Sequence, residues 1–373
     1  MNRKEFLSDC GRMGFAGAVL SLFPWLESCS EKAKQEVSGE KARIGIIGTG
    51  SRGVFHIKHL LQMSNVEVVA LCDNYRPHLE AAAQYYPQAK QYDDYRRLLE
   101  DNSVQGVIIA TPLYLHGRMT MDALRAGKRV FCEKSMAFTL DEALEVYNLR
   151  KELNGVLFIG QQRLFDPKYI KAMQMIHEGA IGDVVGVRNY WYRNNDWRRE
   201  VPSPELERRI NWRLYSEYSR GLMTELACHQ LQNGSWAMGM LPEQVMGSGH
   251  LVHWTNEDER DVYDTVSAIF TYPNGVNMTF ESIISNKHFG MGEQILGTKG
   301  TIDLVTAMHY TDEAAPKGSG MDQLIAQIES GIMSNSVFAG TSWAAETATL
   351  APGMPIMPNV KVVSGESSVG AEA

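Results

Sequence analysis

Arg43-Ile44-Gly45-Ile46-Ile47-Gly48-Thr49-Gly50-Ser51-Arg52-Gly53 decides how the rest of the chain is read. The uncharged run from Ile44 has the length and composition of a strand buried on both faces, and it passes directly into G-x-G-x-x-G. Phe55, Leu60 and Leu61 then recur at roughly helical spacing. Strand, glycine turn and helix form the context in which this spacing holds a dinucleotide. Gly48 allows the tight turn, Gly50 lets the backbone approach a pyrophosphate, and Gly53 permits close packing of helix on strand. The free N–H groups and positive dipole end of that helix then face the phosphates, with Thr49, Ser51 and Arg52 completing the loop. Asp73 stands at the end of the next apolar run, about twenty residues on, where a carboxylate accepts from both ribose hydroxyls. It also repels a 2′-phosphate, so NAD is expected over NADP. Arg76, close enough in sequence to meet such a phosphate, is the argument for NADP.

The same alternation continues along the chain. Residues 79–86 and 95–101 read as helices and 104–110 as a third strand. Thr111-Pro112, a helix through Arg125 and the apolar run 129–132 follow. Strands alternating with helices imply a doubly wound parallel sheet with right-handed crossovers, ending at a strand over 156–160. A connecting helix over 167–178 is stopped by Gly179. Beyond it, 184–192, 265–272 and 276–284 are longer β-segments, the last two joined by Pro273-Asn274-Gly275, a hairpin signal. The expected class is therefore α/β: an N-terminal Rossmann sheet over 42–160, then an α+β domain over 161–346 built on a mainly antiparallel sheet. Past Lys299-Gly300-Thr301 the pattern decays, and 347–373 reads as an irregular tail.

Of 373 residues, 44% are hydrophobic and 21% charged, a soluble globular composition long enough for two domains. A net charge of -8, with no Lys/Arg cluster beyond short pairs, argues against nucleic acid and for a neutral or polar small molecule. Residues 1–29 differ in kind. Asn2-Arg3-Lys4-Glu5-Phe6-Leu7 is a basic start, and 13–26 is an almost uncharged apolar run too short to span a bilayer, as in an export signal. Arg3-Lys4-x-Phe6-Leu7 resembles a twin-arginine signal with its second Arg replaced. Leu26-Glu27-Ser28-Cys29 resembles a bacterial lipobox, which implies a lipid anchor at Cys29 and a periplasm-facing protein; plain signal cleavage nearby is the alternative. Residues 30–41 then form a polar linker. Cys72, Cys132 and Cys228 have apolar neighbours and no metal-ligand spacing, so free thiols and no metal are expected.

Parallel strands put all their carboxyl ends on one edge, so Thr111, Pro112 and His116 stand on the same rim as the glycine loop. So do Glu133 and Lys134, at the end of the 129–132 strand. An unpaired buried charge costs several kcal/mol, so an acid and a base side by side belong at a surface or in a site, and the rim makes this a site. Oxidising a secondary alcohol needs a base for the O–H proton as hydride leaves the carbon, and a positive charge for the developing alkoxide. Lys134 and His229 can supply both. On a helix, Glu225 shares a face with His229 at i, i+4.

Four motifs now stand in order: Gly48 to Gly53, Thr111-Pro112-x-x-x-His116, Ala126-Gly127-Lys128-Arg129-Val130-Phe131-Cys132-Glu133-Lys134, and Glu225-x-x-x-His229. From about Arg43 to about Leu304 the chain resembles the glucose-fructose oxidoreductase and inositol dehydrogenase (Gfo/Idh/MocA) family. The resemblance implies an open second sheet through which subunits associate as a homo-oligomer. It also implies a Lys beside the nicotinamide and the reacting carbon, and an Asp four residues before an acid/base His. Carried over, Lys134 holds the substrate oxygen, His229 moves the hydroxyl proton and Glu225 takes the Asp position. His116 and Glu133 fall on the cofactor side. Three departures stand out. Glu-Lys-Ser replaces Glu-Lys-Pro, which is expected to loosen the loop after Lys134. Glu at 225 is longer than Asp by one carbon, serving as substrate ligand or as orienter of His229. Gln232 stands where many members have Asp.

Trp197-Arg198-Arg199 and Trp212-Arg213-Leu214-Tyr215 precede the Glu225 helix. Aromatic faces and guanidinium forks suit the C–H faces and hydroxyls of a sugar ring, and equally an oligomer interface. Trp197, Arg198, Trp212, Arg213 and Tyr215 are the substrate-side candidates, joined by Arg163 at the domain junction. The expected activity is hydride transfer between a ring hydroxyl of a sugar or glycoside and a tightly held NAD. C3 is expected by analogy with exported members of the family. Alternatives are a redox-neutral glycosidase of the same fold and a cofactor-bearing, sugar-binding subunit with little turnover. The presence of Lys134 favours the dehydrogenase.

Overall fold

The structure, a computed structural model, describes residues 41–255, 259–311 and 354–356. The expected export signal, Cys29, nearly all of the polar linker and most of the tail lie outside the described residues.

Six parallel strands form the first sheet: β1 (Ala42–Ile47), β2 (Val66–Cys72), β3 (Lys90–Tyr92), β4 (Gly106–Ile109), β5 (Arg129–Cys132) and β6 (Leu157–Ile159), in the order β3-β2-β1-β4-β5-β6. The apolar runs are continuous because each strand is covered twice. Ile46 packs with Ile57, Val68, Leu71 and Leu79 on one face, and its neighbour Ile47 with Ala70, Leu98, Ile109 and Cys132 on the other. The reversal of strand order between β1 and β4 opens a crevice at the carboxyl edge, beside the glycine loop.

Two elements escaped the sequence pattern. β3 has only three residues. The helix Leu140–Glu152 buries Val146 alone, so no apolar stripe marks it, although Thr139 and Glu142 form a full capping box at its start. The helix expected over 79–86 is instead Arg76–Ala83, with Pro77 in its first turn.

The second sheet has eight strands in the order β14-β13-β12-β11-β7-β10-β9-β8. They are β7 (Val184–Tyr192), β8 (Gln244–His250), β9 (Thr265–Thr271), β10 (Asn277–Ile283), β11 (Met291–Gly297), β12 (Gly300–Asp303), β13 (Met308–Thr311) and β14 (Met354–Pro355). All pairs are antiparallel except β7 with β10. The expected hairpin joins β9 to β10, with Gly275 at φ 84° in its turn. The pattern does not decay at Lys299: β12 and β13 follow, too short for their alternation to show. One face of the sheet buries Val187, Met278 and Ile295 against the helices Pro167–His177 and Cys228–Met238. The other carries Met246 and Phe289, 69% and 64% exposed, with Tyr190 and Tyr192 in ring contact with Phe289. Between β7 and the Glu225 helix, an arm over 194–220 crosses the carboxyl edge of the first sheet.

Candidate active site

The cleft between the two halves is about 1150 Å³, lined by the glycine loop, Asp73, Thr111 to His116, Glu133, Lys134, Glu225 and residues of the arm. Gly48 takes φ 88°, and a Cβ there would stand 2.7 Å from the Ala110 carbonyl oxygen. A Cβ on Gly53 would overlap the Gly48 carbonyl, the close helix-on-strand packing expected of it. The helix Ser51–Leu60 has no side-chain cap and no acid in its first turn, which leaves its N-terminus open to a pyrophosphate. Asp73 is set in place by the Thr49 amide and hydroxyl (2.8 and 3.2 Å) and the Tyr75 amide (2.8 Å). Burial pushes its pKa up, but hydrogen bonds from His78, Tyr75 and Thr49 outweigh that and hold it below the usual carboxylate range. Arg76 turns away to pair with Glu80 on the surface, 2.7 Å apart, and the Asp73 carboxylate stands where the ribose hydroxyls of NAD are received.

Glu133 lines the cleft, and its carboxylate is held in a brace to the glycine-loop helix. It is 4% exposed, and its Oε1 accepts from Arg52 Nε and meets His56 Nε2, both at 2.7 Å. Arg52, expected at the phosphates, spends its guanidinium on this brace and on the Phe55 face. The pair ties the glycine-loop helix to the end of β5. Burial raises the Glu133 pKa, yet His56 and Arg52 hold it at about 2. His56, one turn from Arg52, was the readable signal that went unread.

Lys134 lines the cleft and donates to the Glu225 carbonyl at 2.6 Å. The loop after it is tied at both ends of Ser135, whose hydroxyl donates to Thr224 O (3.1 Å) and whose carbonyl meets His116 Nδ1 (2.7 Å). In place of the ring constraint of Pro, the Ser135 hydroxyl makes a hydrogen bond that Pro could not, while the carbonyl contact to His116 would be open to either residue. His116 Nε2 faces Thr111 O at 2.9 Å, so both ring nitrogens point at carbonyl acceptors. Only the imidazolium satisfies two acceptors. Burial opposes that charge, but Cys132 and the two carbonyls push the pKa up to about 9. His116 therefore clamps the Thr111 turn to the Lys134 loop.

Glu225 sits in a π-helical turn, Met223–Ala227, which runs into the helix Cys228–Met238. Such turns recur at functional sites. Its carboxylate accepts from Arg213 Nε at 3.1 Å, and Arg213 stacks over Trp212 at 4.3 Å. Glu225 therefore does not orient His229. His229 is 0% exposed, lies under the cleft wall near Trp191, and has no hydrogen-bond partner at either ring nitrogen among the described residues. Burial, then the charges of Lys134, Arg163 and Arg52, push its pKa well below 6.5. The imidazole is neutral, as a proton acceptor must be. Gln232 Oε1 is also buried without a partner.

Trp197, Arg198, Trp212 and Arg213 line the cleft as expected; Arg163, Tyr215 and His229, the expected base, do not. Arg163 is buried behind His229, 2.6 Å from Glu293 and over Trp191. Tyr215 is buried and donates to Glu207, which also holds Arg198. Both are held by carboxylates, Arg163 by one distant in sequence and Tyr215 by one eight positions away. Arg193, Asn195, Arg199 and Arg209 line the cleft without having been singled out as ligands. Cys72, Cys132 and Cys228 form no disulfide among the described residues.

A family model described as the oxidoreductase family with NAD-binding Rossmann fold matches residues 42–161, and the GFO/IDH/MocA C-terminal domain matches 169–303. The chain is 25% identical to scyllo-inositol 2-dehydrogenase (NAD+) of Bacillus subtilis over 288 residues, 76% of this chain and 79% of that protein. It is 25% identical to a glycosyl hydrolase family 109 protein of Stenotrophomonas maltophilia, covering 85% of this chain and 77% of that protein. Among solved structures, scyllo-inositol dehydrogenase of Lactobacillus casei with NAD(H) and scyllo-inositol superposes with a TM-score of 0.61 at 20% identity, covering 71% and 76% of the two chains. A crevice built for NAD, with Lys134 on its rim and the two domain matches spanning most of the chain, shows that this chain belongs to the Gfo/Idh/MocA family of NAD-binding oxidoreductases.

Proposed function

We propose that the protein transfers a hydride between a ring hydroxyl of a sugar or glycoside, C3 of a pyranoside in this reading, and NAD. The observation that carries it is the ammonium of Lys134, fixed on the cleft wall by Glu225 with two N–H groups left for a substrate oxygen. NAD, when bound, supplies the hydride acceptor or donor. Lys134 stabilises the alkoxide as the hydroxyl proton leaves. His229 takes that proton: a buried neutral imidazole with no partner is costly, and the substrate hydroxyl is the partner proposed for it. Trp212, Trp197 and Arg213 offer apolar faces and a fork to the ring. The inositol and sugar-acting relatives support this substrate class.

The family 109 relative favours a second reading, in which oxidation, elimination of the aglycone, hydration and reduction give net hydrolysis. Incubation with methyl and p-nitrophenyl glucosides separates the two. A ketone with NADH absorbance is the expected result. Aglycone without net reduction would establish hydrolysis instead, and binding without either product would leave a sugar-binding subunit. Two further parts of the reading are an anchor at Cys29 that faces the periplasm and a homo-oligomer through the exposed sheet face of Met246, Tyr190 and Phe289. Loss of fatty-acid labelling in Cys29→Ser tests the first, and sedimentation of Phe289→Asp the second.

A further inference from the structure

The arm over 194–220 lines the cleft with Arg198, Arg199, Arg208, Arg209 and Arg213. Three of these guanidiniums meet carboxylates: Arg198 pairs with Glu207, Arg208 with Glu217 and Glu259, and Arg213 with Glu225. Among the described residues no carboxylate pairs with Arg199 or Arg209. Each instead reaches across to the NAD-binding half. Arg199 Nη1 donates to Ser51 Oγ at 3.1 Å, in the glycine loop at the uncapped helix start. Arg209 donates to the Asn74 side-chain carbonyl, directly after Asp73, and lies over the Tyr75 ring at 5.3 Å.

The Arg199 backbone is held firmly at the cleft. Asn211, 2% exposed, brackets Arg199 by accepting from its amide at 2.7 Å and donating to its carbonyl at 2.9 Å. The same amide group reaches Glu207, which collects Arg198 and Tyr215. The arm is thus braced from within, and its guanidiniums are held before any ligand arrives, which lowers the ordering cost of binding. Burial, and then the charge of Arg213, depress the Arg199 pKa, the signature of a cation near another cation with no anion beside it.

We propose that Arg199 and Arg209 are cofactor ligands supplied by the second domain, Arg199 to the pyrophosphate and Arg209 to the adenosine ribose edge. The dinucleotide is then enclosed between the glycine loop and the arm. It leaves only when the arm lifts, and so behaves as a retained group that does not exchange freely. The inference rests on the NAD site and is independent of which sugar is the substrate.

Calorimetric titration of NAD-stripped protein with NAD, ADP-ribose and adenosine tests it. Arg199→Ala should weaken NAD and ADP-ribose alike by roughly 10- to 100-fold and leave adenosine unchanged, since one charge-assisted contact to phosphate is lost. Arg209→Ala should weaken all three. Arg199→Lys should fall between, as a point charge without the fork. Wild-type protein should keep NAD through gel filtration, and Arg199→Ala should lose it. Arg209 is exposed and Arg199 half-buried at the cleft, and melting of the unliganded variants checks that they fold. Unaltered NAD affinity in both variants would overturn the clamp, and an equal loss of adenosine in Arg199→Ala would overturn the pyrophosphate assignment.

Discussion

Lys134 Nζ donates to the backbone carbonyl of Glu225 at 2.6 Å, across 91 positions of sequence. The bond joins the end of β5 to the π-helical turn and so fixes the NAD-binding half against the substrate half where the reaction is proposed. Lys134→Met should lower turnover by about 10²-fold or more, because the developing alkoxide loses its charge stabilisation. Steady-state rates with the preferred glucoside check this, and a near-normal rate would remove Lys134 from the mechanism.

The pH profile should report His229. Its pKa is pushed well below 6.5, so the base stays neutral through neutral pH, and kcat/KM should be level there and fall only on the acid side of 6.5. Lys134 is one of the charges that depress it, so Lys134→Met should move that acid limb upward. His229→Ala should cost about 10²-fold or more across the range. An acid limb at or above 6.5 in the wild type would contradict the assignment.

Glu133 should matter more to stability than to binding. Its folded pKa, about 2, lies below the unfolded value of 4.5, so its contribution is complete above 4.5 and is lost as pH falls from there toward 2. Glu133→Gln breaks a buried pair and should destabilise by about 3 kcal/mol at neutral pH. The variant should also show a shallower decline of melting temperature in acid than the wild type.

The opposite sign applies to His116. Its folded pKa of about 9 lies above the free value of 6.5, so the imidazolium stabilises fully below 6.5 and the contribution disappears as pH rises through 9. Wild-type melting temperature should fall over that window relative to His116→Gln, which keeps one donor and no charge. Parallel curves for the two proteins would show that the ring is neutral.

Behind His229, Arg163 and Glu293 form a buried pair at 2.6 Å, and Asn233 donates to the same carboxylate at 2.7 Å. Burial raises the Glu293 pKa, so without its partner the acid would sit uncompensated. Arg163→Met should cost about 3–5 kcal/mol, and adding Glu293→Leu should recover much of it. Urea midpoints of the single and double variants decide the matter.

The first sheet was legible because its signals are local. Continuous apolar strands, the glycine spacing and Asp73 lie within about thirty residues of one another, the span of one βαβ unit. The helix Leu140–Glu152 escaped because it buries one residue, and β12 and β13 because four residues are too few to alternate. Candidate residues were legible by type but not always by role. Arg163 and Tyr215, expected on the substrate side, are buried against Glu293 and Glu207, whereas Glu133 and Arg52, expected on the cofactor side, line the cleft and pair with each other.

Sequence alone determined the NAD-binding architecture and the rim on which Lys134 stands, since these follow from backbone periodicity and from glycines whose positions only a tight turn or close approach requires, and the order of four motifs carried the resemblance to the family. Tertiary structure decided which charges are free to act. Arg52 meets Glu133 across 81 positions and Arg199 meets Ser51 across 148, and no spacing rule reaches that far. A charge acts on a ligand only if no carboxylate of the protein has claimed it first. That competition is settled by packing, and it is why Arg199 meets Ser51 of the glycine loop with no carboxylate partner among the described residues, while Arg163 is buried against Glu293.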